Sequence, residues 1–154
     1  MAYLRNVMLS VSVIGEAAMP LVTITAKSPY YPANDPIDDT EKQALTARLG
    51  EALPSLIIDN LSRLHLEADT PLDGVQVNYQ KFHARAIHAP DIWVGILFTG
   101  VPPEEIAQIA VRRALDDIVT TYLEQQESTA ELAVDVFWGP GRGFFVIDGH
   151  RVEW

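Results

Sequence analysis

The fold class this 154-residue chain predicts is α+β: two βαβ units forming a four-stranded mixed sheet with two helices on one face, plus a C-terminal hairpin. Three observations carry that expectation. Strand-like runs come in pairs, 21–26 with 75–80 and 92–98 with 132–138, and each pair encloses one long stretch of helical periodicity. The chain then closes on Phe144-Phe145-Val146-Ile147, Asp148-Gly149 and His150-Arg151-Val152, where Asp-Gly marks a tight hairpin turn. Two βαβ units leave both helices on one face of the sheet and the other face bare, so a neighbouring copy of the chain is expected to cover it.

Each element has its own signal. Leu21-Val22-Thr23-Ile24-Thr25-Ala26 is rich in β-branched residues and reads as a strand. The prolines and the Asn-Asp pair of residues 28–36 prevent regular structure. Thr40, with Gln43 three residues on, forms a capping-box pattern ahead of Ala44, Leu45, Leu49, Ala52 and Leu53, and the helix continues through Leu56, Ile57, Ile58 and Leu61 toward His65. Pro54 is expected to kink or restart it, because proline has no N–H to give the preceding turn. Val75-Gln76-Val77-Asn78-Tyr79-Gln80 alternates apolar and polar residues, the pattern of a strand with one buried face. Ile92-Trp93-Val94-Gly95-Ile96-Leu97-Phe98 is apolar throughout and should be covered on both faces. Pro102-Pro103-Glu104-Glu105 opens the second helix, with proline in the first turn and acids at the positive end of the dipole. Its buried stripe is predicted to be Ile106, Ile109, Ala110, Ile118, Val119, Tyr122 and Leu123, with Arg112, Arg113, Asp116 and Asp117 on the wet side. Leu132-Ala133-Val134-Asp135-Val136-Phe137-Trp138 is the last long strand.

Composition removes several functions. With 21 acidic against 11 basic residues and a net charge of -10, the chain offers no basic stripe for nucleic acid or an anionic membrane. No cysteine is present, which excludes disulfides, thiolate ligands and a Cys nucleophile. His83 and His88 are five residues apart on a connector, an odd separation that points them to opposite sides of an extended chain, so no metal site is expected. No Ser-His-Asp set, phosphate loop or dinucleotide glycine pattern occurs, and no cofactor is expected. Residues 1–18 form an extension with a faint signal-peptide outline, read as an extra strand or a non-native start before a single domain over 19–154. The expected location is cytoplasmic.

Pro20, between Met19 and the first strand, is the candidate with the most chemistry. If the chain began at Met19 and lost it, Pro20 would carry a free secondary amine, whose reference pKa of roughly 7.7 to 8.0 an apolar pocket would lower. A purine-rich codon stretch is possible at Gly15-Glu16, where a bacterial ribosome-binding site for such a start would lie. Peptide-bonded to Met19, the same nitrogen has no basicity.

Met19-Pro20-Leu21-Val22-Thr23-Ile24, followed by two βαβ units, resembles the tautomerase superfamily, in which methionine is removed and trimers are built from paired βαβ units. The length is similar to the cis-3-chloroacrylic acid dehalogenase, malonate semialdehyde decarboxylase and macrophage migration inhibitory factor branches. The Val75–Gln80 strand is similar to the second strand of the dehalogenase branch, and Gly141-Arg142-Gly143 after an aromatic strand end is similar to the decarboxylase branch. The resemblance implies an isomerase of small 2-keto or enol carboxylic acids, with Pro20 as catalytic base, cationic groups on the substrate carboxylate, and a wall on the last long strand, here Phe137. The dehalogenase and decarboxylase branches place arginines in the loop after the third strand. That loop reads Thr99-Gly100-Val101-Pro102-Pro103 here, with no arginine, and residues 51–54 hold no histidine to match the dehalogenase's helical one. Arg85 and Arg142 are the substitute carboxylate ligands. Asp135, interrupting an apolar strand, is a candidate acid if desolvated, or else the partner of an arginine. Two other readings remain open: a catalytically inactive oligomer of the same fold with a binding or structural role, and a ferredoxin-like fold with no use for Pro20.

Overall fold

The computed structural model describes residues 20–63, 74–99, 102–139, 144–147 and 150–153. Six strands and two long helices follow in the order β1 (Leu21–Ala26), α1 (Glu41–Arg63), β2 (Gln76–Lys81), β3 (Ile92–Thr99), α2 (Glu105–Gln125), β4 (Leu132–Gly139), β5 (Phe144–Ile147) and β6 (His150–Glu153). The four long strands form one sheet in the order β2-β1-β3-β4, and β5 and β6 form a separate antiparallel pair. β1 pairs parallel with β2, β3 parallel with β4, and β1 antiparallel with β3. Each βαβ unit therefore keeps its two strands adjacent. A ferredoxin-like domain splits each unit with an intervening strand, so the direct β1–β2 pairing rules that reading out.

Alternation along the strands divides the sheet. Val22, Ile24 and Ala26 of β1, Ile92, Val94, Ile96 and Phe98 of β3 and Val136 of β4 join the core with both helices. The helices present matching lines, Leu45-Leu49-Leu53-Ile57-Leu61 on α1 and Ala107-Val111-Leu115-Val119-Leu123 on α2, all buried. An i, i+4 line winds about 40° per step around a helix, so each helix lies obliquely across the sheet. Each large side chain so buried contributes about 2 kcal/mol through removal from water.

The capping box forms: Thr40 N–H donates to Gln43 Oε1 at 2.9 Å, and Gln43 N–H to Thr40 Oγ1 at 3.3 Å. Gln43 Nε2 also donates to Tyr31 O, tying the turn-rich segment to the helix start. Pro54 does not restart α1, which is one run with the proline inside it. Leu49 and Leu53 before it and Ile57 and Leu61 after it are all buried, and their packing outweighs the one backbone bond that is lost. The helical end expected near His65 falls outside the described residues.

The α2 stripe matches the expectation in its second half, where Val119 and Leu123 are buried and Ile118 and Tyr122 pack against the core, and differs in its first. Ile106 and Ile109 are 55% and 39% exposed, because both lie roughly half a turn from the buried line through Ala107, Val111 and Leu115. β3 is buried along its length except at half-buried Trp93, as its continuous apolarity requires. The face away from the helices is not bare at its centre. Leu21, Thr23 and Thr25 of β1 and Leu97 and Thr99 of β3 are buried within the chain, whereas Gln76, Asp135 and Phe137 on the two edge strands are exposed.

Candidate functional site

Pro20 is buried and leads directly into β1, a central strand. Its carbonyl accepts from Gln76 N–H at 3.2 Å, and continuing the β1–β3 register by one residue sets it beside Phe98. Phe98 is paired in register with Trp138, and their rings stack at a centroid distance of 5.8 Å. On the other face, the neighbouring row runs Gln76, Leu21, Leu97, Phe137. The surroundings of Pro20 are thus largely apolar, with Gln76 at the start of β2 the polar exception, and β3 and β4 end at Thr99 and Gly139 at the same end of the sheet.

Asp135 stands one row further along, in register with Gly95, which in turn is paired with Thr23. The sequence offered a desolvated acid or an arginine's partner, and the side chain is neither. Among the described residues β4 has a strand neighbour on one side only, and Asp135 is exposed. Its carboxylate Oδ2 accepts instead from the Trp93 indole Nε1–H at 2.6 Å. The indole lies across Gly95, where a Cβ would overlap its ring, so the glycine is what lets Trp93 reach Asp135. Phe137 is 46% exposed, with its ring centroid 6.3 Å from that of Trp93.

An open cleft of about 180 Å³ wraps the free edge of β4, lined by Arg112, Arg113, Asp116, Val134, Asp135 and Val136. Arg112 Nε donates to Val136 O at 3.4 Å, and its guanidinium sits 5.4 Å from the Trp138 ring centroid. Cations therefore do gather near Asp135, and they come from the wet side of α2, where Arg112 and Arg113 are exposed as expected. The cleft brings together residues about twenty positions apart, and nothing in either local pattern signals it.

The other candidates are elsewhere. Arg85 is exposed in the connector between β2 and β3, and its N–H donates to His83 Nδ1 at 3.1 Å. That connector adjoins Ala26, at the far end of β1 from Pro20. Six residues at about 3.3 Å each put it roughly 20 Å away, so Arg85 and Pro20 of one chain do not share a pocket. His83 and His88 are both exposed, and no group of three metal-ligating side chains occurs among the described residues. Arg142 lies outside the described residues. No helix among them is long and apolar enough to cross a membrane.

No family profile and no curated protein sequence matches the chain. Solved structures do. A 5-carboxymethyl-2-hydroxymuconate isomerase from Deinococcus radiodurans R1 is 14% identical, with 82% of this chain and 86% of that one covered and a TM-score of 0.43. A wild-type fused 4-OT symmetric trimer is 17% identical, with 85% and 94% covered and a TM-score of 0.49. A member of the cis-3-chloroacrylic acid dehalogenase family is 17% identical, with 86% and 82% covered and a TM-score of 0.48. The last of these belongs to the cis-3-chloroacrylic acid dehalogenase family, one of the branches named above by resemblance.

Proposed function

We propose that this chain transfers a proton on a small 2-keto or enol carboxylic acid, with Pro20 as the base when its nitrogen is a free secondary amine. The observation that carries the reading is the setting of Pro20: a buried residue opening a central strand, beside Phe98 and next to the row of Leu21 and Leu97. Removal from water disfavours an ammonium ion, so an amine there is held nearer neutrality than a solvated one and accepts and returns a proton at working pH. Phe137, on β4 two strand spacings from β1, is the apolar wall in this reading and reaches the substrate only at the far side of the site. Within one chain Arg85 lies at the far end of β1 from Pro20, and Arg112 and Arg113 lie beyond β4, at least two strand spacings or about 10 Å away. On this reading the substrate carboxylate is met by Arg142 or by an arginine of a second copy, and the working form is a homo-oligomer, with a trimer the expected size. The exposed Phe137 and the free outer edges of β2 and β4 support such an assembly.

The same distances favour a second reading, an oligomer of this fold that binds without turning over. Intact mass of the protein from its natural host separates the two: a chain beginning at Pro20 is expected for the enzyme, and one that keeps Met19 peptide-bonded to Pro20 refutes the proline mechanism.

A further inference from the structure

We propose that the cleft at the free edge of β4 binds a small zwitterion, a molecule with a carboxylate and an ammonium group a few bonds apart, as in a free α-amino acid. Two arginines and two aspartates line this one cleft, and no pair of them comes within ion-pair distance; the described ion pair of the chain is elsewhere, between Lys27 and Asp91. Four exposed charges of both signs left unpaired against one another suit a ligand that also carries both signs. A simple anion would meet the two carboxylates and a simple cation the two guanidiniums.

The charges are held in place by interactions that leave their binding edges free. Arg112 spends Nε on Val136 O and rests its guanidinium face on Trp138, and among the described residues its two terminal nitrogens have no partner, a fork for a carboxylate. Asp135 gives Oδ2 to the Trp93 indole, and Oδ1 remains for an ammonium group. Asp116 follows Arg112 by four residues, with the cation on the N-terminal side, the weaker order for an ion pair along a helix.

The strand itself adds apolar and polar lining. Ile92 N–H donates to Glu131 O, so odd-numbered residues of this segment bond toward β3 and the even-numbered ones, Val134 and Val136, turn their backbone groups to the free edge. Val134 and Val136 are the apolar residues of the cleft lining, Val136 with its side chain in the core. At about 180 Å³ it is smaller than the usual pocket for a drug-sized molecule, which fits a ligand of amino-acid size. The site is independent of the Pro20 reading, since it lies about two strand spacings from Pro20 and uses neither its nitrogen nor an oligomer.

Proton–nitrogen correlation spectra of the full chain test this, because the Trp93 indole N–H, assigned with Trp93→Phe, sits on the Asp135 carboxylate. Added L-leucine is expected to shift that signal saturably in the millimolar range. N-acetyl-L-leucine and L-leucinamide, each with one charge, are expected to bind at least tenfold more weakly. Calorimetry on Arg112→Gln and Asp135→Asn, both exposed side chains, is expected to give at least a tenfold loss for L-leucine in each. No saturable shift, equal binding of the N-acetyl compound, or full affinity in Arg112→Gln would overturn the proposal; the three small molecules decide it even if a variant fails to fold.

Discussion

The indole of Trp93 hydrogen-bonds the carboxylate of Asp135 across the β3–β4 pair, 2.6 Å from Nε1 to Oδ2, with the ring laid over Gly95. The two residues are not directly paired in register: Trp93 is opposite Ala133 and Asp135 opposite Gly95, so the bond is a diagonal one. It fixes a carboxylate that would otherwise swing freely on an edge strand.

Removing the donor should therefore be measurable. Trp93→Phe is expected to cost about 1 kcal/mol through this bond, and a double-mutant cycle with Asp135→Ala should return a coupling of about 0.5 to 1.5 kcal/mol in urea unfolding. A coupling of zero would mean that the bond does not form in solution.

Gly50 of α1 tests the packing of the helix on β2. A Cβ at this position would overlap the Tyr79 hydroxyl and the end of its ring. Glycine to alanine inside a helix ordinarily stabilises by about 1 kcal/mol. Here Gly50→Ala is expected to destabilise by about 1 kcal/mol or more, because the Tyr79 ring must move. In a Tyr79→Leu background the same change should turn stabilising, as chemical denaturation of the four proteins would report.

The phase of α2 is tested by a pair of substitutions. Leu115 is fully buried, and Leu115→Ala is expected to cost about 2 to 5 kcal/mol. Ile106 is more than half exposed, and Ile106→Ala should stay within about 0.5 kcal/mol of the parent. Reversed magnitudes would mean that the helix is rotated.

That pair also marks how far the sequence could be read. Residues 106, 109 and 110 make as good an apolar stripe as 107, 111 and 115, and periodicity has no means of choosing between two stripes half a turn apart. The Thr40–Gln43 capping box, the strand alternation of Val75–Gln80 and the parallel pairing within each βαβ unit were legible, because each depends on a short-range pattern or a short connection. Asp135 was singled out by its sequence neighbours, but its partner was not. Both the exposure of β4 and the reach of Trp93 over Gly95 depend on which strand lies at the edge. The Arg112 cleft was invisible for the same reason: it joins a helix and a strand more than a turn's reach apart.

The Tyr79 phenol titrates above its ordinary range, chiefly because burial disfavours the phenolate and further because Glu51 and Asp39 repel it. The folded state holds this proton more tightly than the unfolded state. Its contribution to stability is therefore complete below the unfolded value of about 10 and is lost as pH rises through the folded one. Stability measured by urea should fall on the alkaline limb starting near that value, and Tyr79→Phe should flatten the fall. An unchanged limb would assign the alkaline loss to other groups.

The nitrogen of Pro20 carries the proposed chemistry. A chain beginning at Pro20 should be assayed for tautomerisation of phenylenolpyruvate and of 2-hydroxymuconate beside its Pro20→Ala counterpart. The expected result is turnover by the proline chain and a loss of about 10²- to 10⁴-fold in the alanine chain, the range that general base catalysis supplies. Equal rates in the two chains, or no turnover by either, would contradict it.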